Sequence, residues 1–344
     1  MIQTGTGNLD FANALLHGRR GHLHEGLRLD ETCRLRTITE LAYKLASVRG
    51  TISFSRLQRL ILEQSIAELN SLRCHLSGES LLLYEWFLAR FQLEQLKVII
   101  RGFISRTQAK EIQENLIDLP EELALDTDKL PVTESLAQCA ALLPYNGLRD
   151  MARKILSAEQ DQLFLLEAGL DHEYFREMLA RAGRIPSADL SGFHSLILQE
   201  IDIFHLLLVV RGKFINGFNT EQLLALHLSG TNISLALYKE MLSEPKPVAV
   251  AKLITGRAID SFPQNQTSTP SILEVLGWNR YYRFSCRAFR ASILGPGIIF
   301  SYAGIRRIEV ANLTTIIEGV RLGMPADKIR ARLLPRTTWE EIHV

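Results

Sequence analysis

VIIRG at 98–102, LVVRG at 208–212 and TIIEG at 315–319 are one phrase written three times. In each, an apolar run stops on a charged residue and a glycine. Arg101, Arg211 and Glu318 are separated by 110 and 107 residues, and a spacing that divides the chain this way is a matter of architecture before chemistry. Upstream, Leu93, Leu96, Ile99 and Ile100 align with Ile203, Leu206, Val209 and Val210, and with Val310, Leu313, Ile316 and Ile317. One position before each set stands a polar residue: Gln92, Asp202 and Glu309. After each glycine a short turn leads to a new helix start, TQAKEI at 107–112, NTEQLL at 219–224 and PADKI at 325–329, with one extra residue in the second turn. The unit reads as an antiparallel helical pair used three times.

The helical reading rests on periodicity. Within LLLYEWFLARFQLEQLKVIIRG (81–102), Leu82, Trp86, Ala89, Leu93, Leu96 and Ile100 recur at steps of four and three, which lays one apolar stripe on a helix. A glycine just past the last periodic residue fits a helix C-cap, so Gly102, Gly212 and Gly319 are expected at equivalent helix ends. Thr107 is expected as an N-cap. Capping-box spacing recurs at Ser157–Gln160 and Thr337–Glu340. Strand alternation is scarce. The expected fold is all-α, with three related helical domains at 1–118, 119–230 and 231–344. A linker is expected at 116–131, and loops at 243–247 and 261–270.

A chain of 344 residues with 47% hydrophobic and 22% charged residues has a globular composition and room for two or three domains. Its formal net charge of +1 supplies no global field for nucleic acid or anionic lipid, so any such binding must be local. Cys33, Cys74, Cys139 and Cys286 form no CxxC pair, which argues for reduced thiols in a cytosolic setting. The N-terminal segment lacks the apolar core of a signal peptide. The longest stretch free of Asp, Glu, Lys and Arg, Gln222–Tyr238, is 17 residues long and includes His227, Gly230 and Asn232. A membrane-spanning helix needs roughly 20 mostly apolar residues, so no span is expected.

Catalytic motifs are scarce. His17, His22 and His24, beside Glu25, are the metal candidates, but residues two apart on a helix face different ways. Solvated histidines are the preferred reading, with a metal-dependent all-α hydrolase as the enzyme alternative. Gly5 and Gly7 lack the preceding strand and following GKS or GKT of a phosphate loop. No catalytic, cofactor or metal residue is assigned. More informative is RYYRFSCRAFR, 280–290. Arg280, Arg283, Arg287 and Arg290 step by three, four and three, so a helix carries them on one face, with Tyr281, Tyr282, Phe284 and Phe289 largely off that line. No acid occurs between Glu274 and Glu309, and Arg306 and Arg307 lie in the same interval. A solvated face and a docking surface for an acidic protein are the two main readings. Arg101 and Arg211 suit the negative end of a helix dipole, whereas Glu318 does not.

EVANLTTIIEGVRLGMPADKIRARL (309–333) and EIDIFHLLLVVRGKFINGFNTEQLLAL (200–226) resemble the C subunit of prokaryotic A/V-type rotary ATPases, equivalent to the d subunit of the eukaryotic vacuolar enzyme. FANALLHGRRGHL near the start is more loosely similar to that family's opening helix. Departures from the family pattern are Gln92 in place of an acid, Glu318 in place of a cation, and Gln95 and His205 where the third copy has Asn312. The resemblance implies three helical domains in a funnel-like, pseudo-threefold arrangement and no cofactor. It implies a non-catalytic central-stalk subunit between the central shaft and the proteolipid ring, at the cytoplasmic face of the membrane, passing torque between ion translocation and ATP synthesis or hydrolysis. Neither nucleic acid nor a small-molecule substrate is implied. A generic helical scaffold is the rival, but units of 107–110 residues far exceed the roughly 34–47 of common helical repeats.

Overall fold

A computed structural model of the protein describes residues 6–144, 146–157, 162–186, 193–255, 271–292 and 295–335. Among the described residues the regular structure is all helical, with no strand. In chain order the helices are α1 Thr6–Arg20, α2 Gly26–Cys33, α3 Ile38–Ala46, α4 Phe54–Ser71, α5 Gly78–Ile104, α6 Ala109–Asn115, α7 Leu136–Cys139, α8 Asn146–Leu156 and α9 Leu163–Ala182. They continue with α10 His194–Leu207, α11 Thr220–Leu224, α12 Leu235–Ser243, α13 Pro247–Thr255, α14 Ser271–Ala291, α15 Gly297–Arg321 and α16 Ala326–Arg330. A π-helical turn, Leu208–Ile215, extends α10.

The chain divides into two compact units. The first comprises Met1–Ser80, Ser187–Leu196 and Trp278–Val344, and the second Leu81–Pro186 and Ile197–Gly277. In the first unit, Leu29, Cys33, Leu41, Ala42, Leu57 and Ile61 from α2–α4 form one core with Val310, Leu313, Ile316, Ile317, Ile329 and Leu333 at the other end of the sequence. Each fully buried Leu or Ile contributes roughly 1.5–3 kcal/mol. In the second unit α5 and α9 pack through Trp86, whose indole N–H donates to the Tyr174 carbonyl at 3.0 Å while the two rings stack at 5.7 Å.

The three repeated phrases share one local geometry, and it departs from the expected one. Their glycines do not cap the helices: α5 runs on to Ile104 and α15 to Arg321. The left-handed residue that ends each helical run comes four or five positions later, at Arg106 (φ 56°), Gly217 (φ 69°) and Gly323 (φ 64°). Each glycine carbonyl accepts the amide that follows this residue: Thr107 at 2.9 Å, Phe218 at 3.0 Å and Met324 at 2.9 Å. Thr107 is therefore spent on closing the turn, and Gln108 occupies the N-cap position of α6.

What the glycines provide is room. A Cβ on Gly102, Gly212 or Gly319 would lie 2.6 Å from Ile112, Leu223 or Ile329, the side chain that the returning helix lays on it. Real side-chain atoms do not approach so closely, so a larger residue would force the facing side chain to shift. The extra residue of the second copy falls between Gly212 and Gly217, and the π-helical turn absorbs it, the usual origin of such a turn. Asn219 and Gln222 form a reciprocal capping box at the start of α11.

The segment 116–131 is more than a linker. It contains 3₁₀ turns at Glu121–Leu123 and Thr127–Val132 and buries Leu123 and Leu130. The capping-box expectations at 157–160 and 337–340, and the loop expected at 261–270, fall wholly or mostly outside the described residues.

Candidate interaction surface

Behind each hairpin a buried polar side chain fixes the chain as it leaves the short second helix. Gln95 Oε1 accepts the Ile117 amide at 2.9 Å, His205 Nε2 accepts the Leu228 amide at 3.0 Å, and Asn312 Oδ1 accepts the Leu334 amide at 2.8 Å. Three different residue types at equivalent positions play the same part, because each offers one acceptor at similar reach. An unmet buried amide would cost about 1–3 kcal/mol. The burial that makes His205 useful depresses its pKa to about 3, and neighbouring His227 and His172 push it the same way. It is thus a neutral acceptor.

One turn earlier, Gln92, Asp202 and Glu309 are also buried and tied down. Gln92 donates to the Leu123 carbonyl at 3.2 Å, and Asp202 accepts from the Ile233 amide at 3.1 Å and from Asn232 at 2.7 Å. Glu309 accepts the His24 amide at 2.6 Å and pairs with Arg306. Arg306 also reaches Glu68 at 3.1 Å, and Glu68 accepts the Tyr302 hydroxyl at 2.5 Å. These groups line a cavity of about 250 Å³ in the first unit. Burial raises the pKa of Glu309 against the opposing pull of Arg306, while the two carboxylates hold Arg306 above its usual value despite its own burial. The network joins α4 and α15 to the turn before α2.

The charged residue of each repeated phrase also has a local explanation. Arg101 makes a bidentate pair with Glu167 on α9, at 2.6 and 2.8 Å, and Arg211 reaches Glu274 on α14 at 3.5 Å. In the third copy Glu318 turns to Arg321 on its own helix, and that hydrogen bond lowers the Glu318 pKa. Gln58 of α4 lines the same 370 Å³ surface cavity as Glu318. With a neutral residue across from it, the third copy has no need of a cation.

Arg280, Arg283, Arg287 and Arg290 are all exposed on α14. Arg280 and Arg287 both lie over the half-buried Phe284 ring, at 5.6 and 5.9 Å. Tyr281 and Phe289 are buried, and Tyr282 donates to Glu25 at 2.5 Å. Arg306 does not belong to this exposed set, since it is built into the buried network, and Arg307 lies over the Trp278 ring at 4.7 Å.

The remaining candidates do not converge. His17 packs against Phe289, with ring centroids 4.7 Å apart, and His24 Nδ1 lies 2.9 Å from the Thr32 hydroxyl. Gly7 is inside α1, while Gly5 lies outside the described residues. Among the described residues no three His, Cys, Asp or Glu side chains are grouped to hold a metal ion, and no helix is long and apolar enough to cross a membrane.

What remains is a scaffold of helical hairpins with buried polar side chains pinning each one, and a row of exposed arginines on α14. Residues 12–332 match the family described as ATP synthase (C/AC39) subunit. The chain belongs to that family. It is similar to the C subunit of the A-type ATP synthase of Methanosarcina barkeri, with 22% identity over 264 residues, covering 75% of this chain and 71% of the relative. The corresponding protein of Methanosarcina mazei is 22% identical over 265 residues, with the same coverage. As a member of this family the chain is a C-type subunit of a V/A-type ATP synthase, a non-catalytic part of that complex.

Sequence marks Gln95, His205 and Asn312 as equivalent positions but not their role as buried acceptors, nor the partners of Arg101 and Arg211, nor the Glu68–Arg306–Glu309 network. The acceptors carried a usable signal: Gln95, His205 and Asn312 occupy equivalent places in the repeat, and all three are polar within apolar runs.

Proposed function

We propose that the chain is the central-stalk spacer of its rotary complex, seated between the central shaft and the membrane proteolipid ring at the cytoplasmic face and carrying torque between them. The observation that carries this reading is the family match across residues 12–332. The structure suits such a role. A torque-bearing part must not shear, and here each hairpin is closed on a glycine and pinned by a buried hydrogen bond. The same reading takes 1–118, 119–230 and 231–344 as three related helical units, each containing one such hairpin. A tagged copy should copurify with shaft and proteolipid subunits from solubilised membranes, and cells lacking the chain should retain ATP hydrolysis uncoupled from ion movement. Membranes that assemble and pump normally without the chain would refute it, as would tight ATP binding to the isolated protein in calorimetry.

A further inference from the structure

The exposed face of α14 stands apart from the helices that occupy its place in the other two copies. The Arg101–Glu167 and Arg211–Glu274 pairs align α9 with α14, and Gln58, which lines one cavity with Glu318, aligns α4 with both. The burial pattern supports this register: Ile61, Ser65 and Leu69 on α4 match Leu170, Tyr174 and Met178 on α9, and Gly277, Tyr281 and Ser285 on α14, all buried. In this alignment the places of Arg280, Arg283 and Arg287 are held on α4 by Gln64, Ala67 and Ser71, all exposed and uncharged. On α9 they are held by Glu173, Arg176 and Ala180, the first two being paired with each other. The repeat architecture therefore does not require arginine at these places. Like charges three and four residues apart disfavour a helix, so the stripe is a local departure with a cost to stability.

We propose that this face docks an acidic helix of a partner subunit, one with carboxylates three to four residues apart. The inference rests on the reading of the chain as a subunit of a rotary complex. Four guanidinium groups from residue 280 to 290 span about 15 Å at the rise of an α-helix, three turns of a partner. Arg280 and Arg287 both lie over the Phe284 ring, which limits the freedom lost when they pair with carboxylates. Glu25, an acid beside this helix, is engaged by Arg20 at 3.3 Å as well as by Tyr282. A nucleic acid would want several open rings for stacking, but Tyr281 and Phe289 are buried and Tyr282 is engaged. A lipid surface would want exposed apolar side chains along the stripe, and only the half-buried Phe284 lies there.

The test uses full-length protein and the rest of the rotary complex, purified from cells lacking the chain. Arg283→Glu/Arg287→Glu is compared with Arg283→Gln/Arg287→Gln and with the control Lys239→Glu/Lys252→Glu, which makes the same charge change at exposed sites elsewhere. Circular dichroism checks that each is folded. Binding of the parent to the complex should weaken between 50 and 300 mM salt, concentrations chosen on the order of the screening range. The glutamate variant should bind at least about tenfold more weakly at low salt with a flatter salt dependence, the glutamine variant should fall between, and the control should match the parent. Parent-like binding by the glutamate variant overturns the docking face while leaving the rotor reading intact. So does loss confined to binding of an RNA 20-mer or of phosphatidylserine vesicles, with lengths and lipids on the order of usual probes. Failure of the parent itself to bind the complex overturns the rotor reading, and the docking face with it.

Discussion

His205→Gln should exchange stability at neutral pH for stability in acid. In the parent, His205 is fully buried and neutral, with a pKa near 3 against an ordinary value of 6.5. The folded pKa is depressed, so below pH 6.5 the unfolded chain binds a proton that the folded chain refuses. Stability from this group is complete above 6.5 and is lost progressively as the pH falls towards 3. At pH 5 the loss is about 2 kcal/mol, from 1.5 pH units at 1.36 kcal/mol each. Glutamine can accept the Leu228 amide as Gln95 accepts that of Ile117, without a titrating group. It gives up ring contacts with His227 at 4.8 Å and Tyr238 at 5.2 Å, a loss of about 1 kcal/mol. The variant should therefore be about 1 kcal/mol less stable at pH 7.5 and about 1 kcal/mol more stable at pH 5. Urea unfolding followed by circular dichroism at both pH values reads the crossover, and hydrogen exchange at the Leu228 amide reads the contact itself. The depressed pKa values of His24 and His172 leave a residual slope common to both proteins. Equal slopes in parent and variant would refute the assignment, as would a Leu228 amide that exchanges freely in the variant at pH 7.5.

Gly319→Ala should destabilise the protein by about 1–3 kcal/mol in urea unfolding, although glycine to alanine inside a helix ordinarily gains up to about 1 kcal/mol, because the new methyl lands on Ile329. A gain in stability would show that the hairpin has slack. Glu309→Ala should cost about 3–5 kcal/mol by the same measurement, since it takes a charge partner from buried Arg306 and the acceptor from the His24 amide. A cost below about 1 kcal/mol would mean that water replaces the carboxylate in the adjoining cavity.

Apolar spacing identified the helices and the three hairpins because helical period and turn length are local properties. The same local view misplaced the glycines. Glycine is admitted both for a left-handed turn and for a close approach, and only the neighbour ten or eleven residues later, Ile112, Leu223 or Ile329, distinguishes the two. Charge was harder to read. Arg101 finds Glu167 across 66 positions, and Arg306 finds Glu68 across 238, distances that no pattern within one window can span. Of the cations noted between Glu274 and Glu309, Arg306 is interior, a fact that sequence could not supply because its partner Glu68 belongs to α4. The arginines at 280, 283, 287 and 290 were legible as a one-sided set because their spacing alone places them on one helical face.

The core that joins residues 29–61 to 310–333 bears on how the chain is made. A ribosome releases α2, α3 and α4 early, but their shared core lacks its other half until α15 and α16 emerge more than two hundred residues later. The second unit, by contrast, falls within residues 81–277 and has all its residues available before α15 exists. The earliest helices synthesised are thus among the last to be buried, and they wait in a state in which exposed apolar surface invites aggregation. Chaperone demand during synthesis should fall on the N-terminal eighty residues, and a stalled or truncated product lacking the last forty should leave them unprotected.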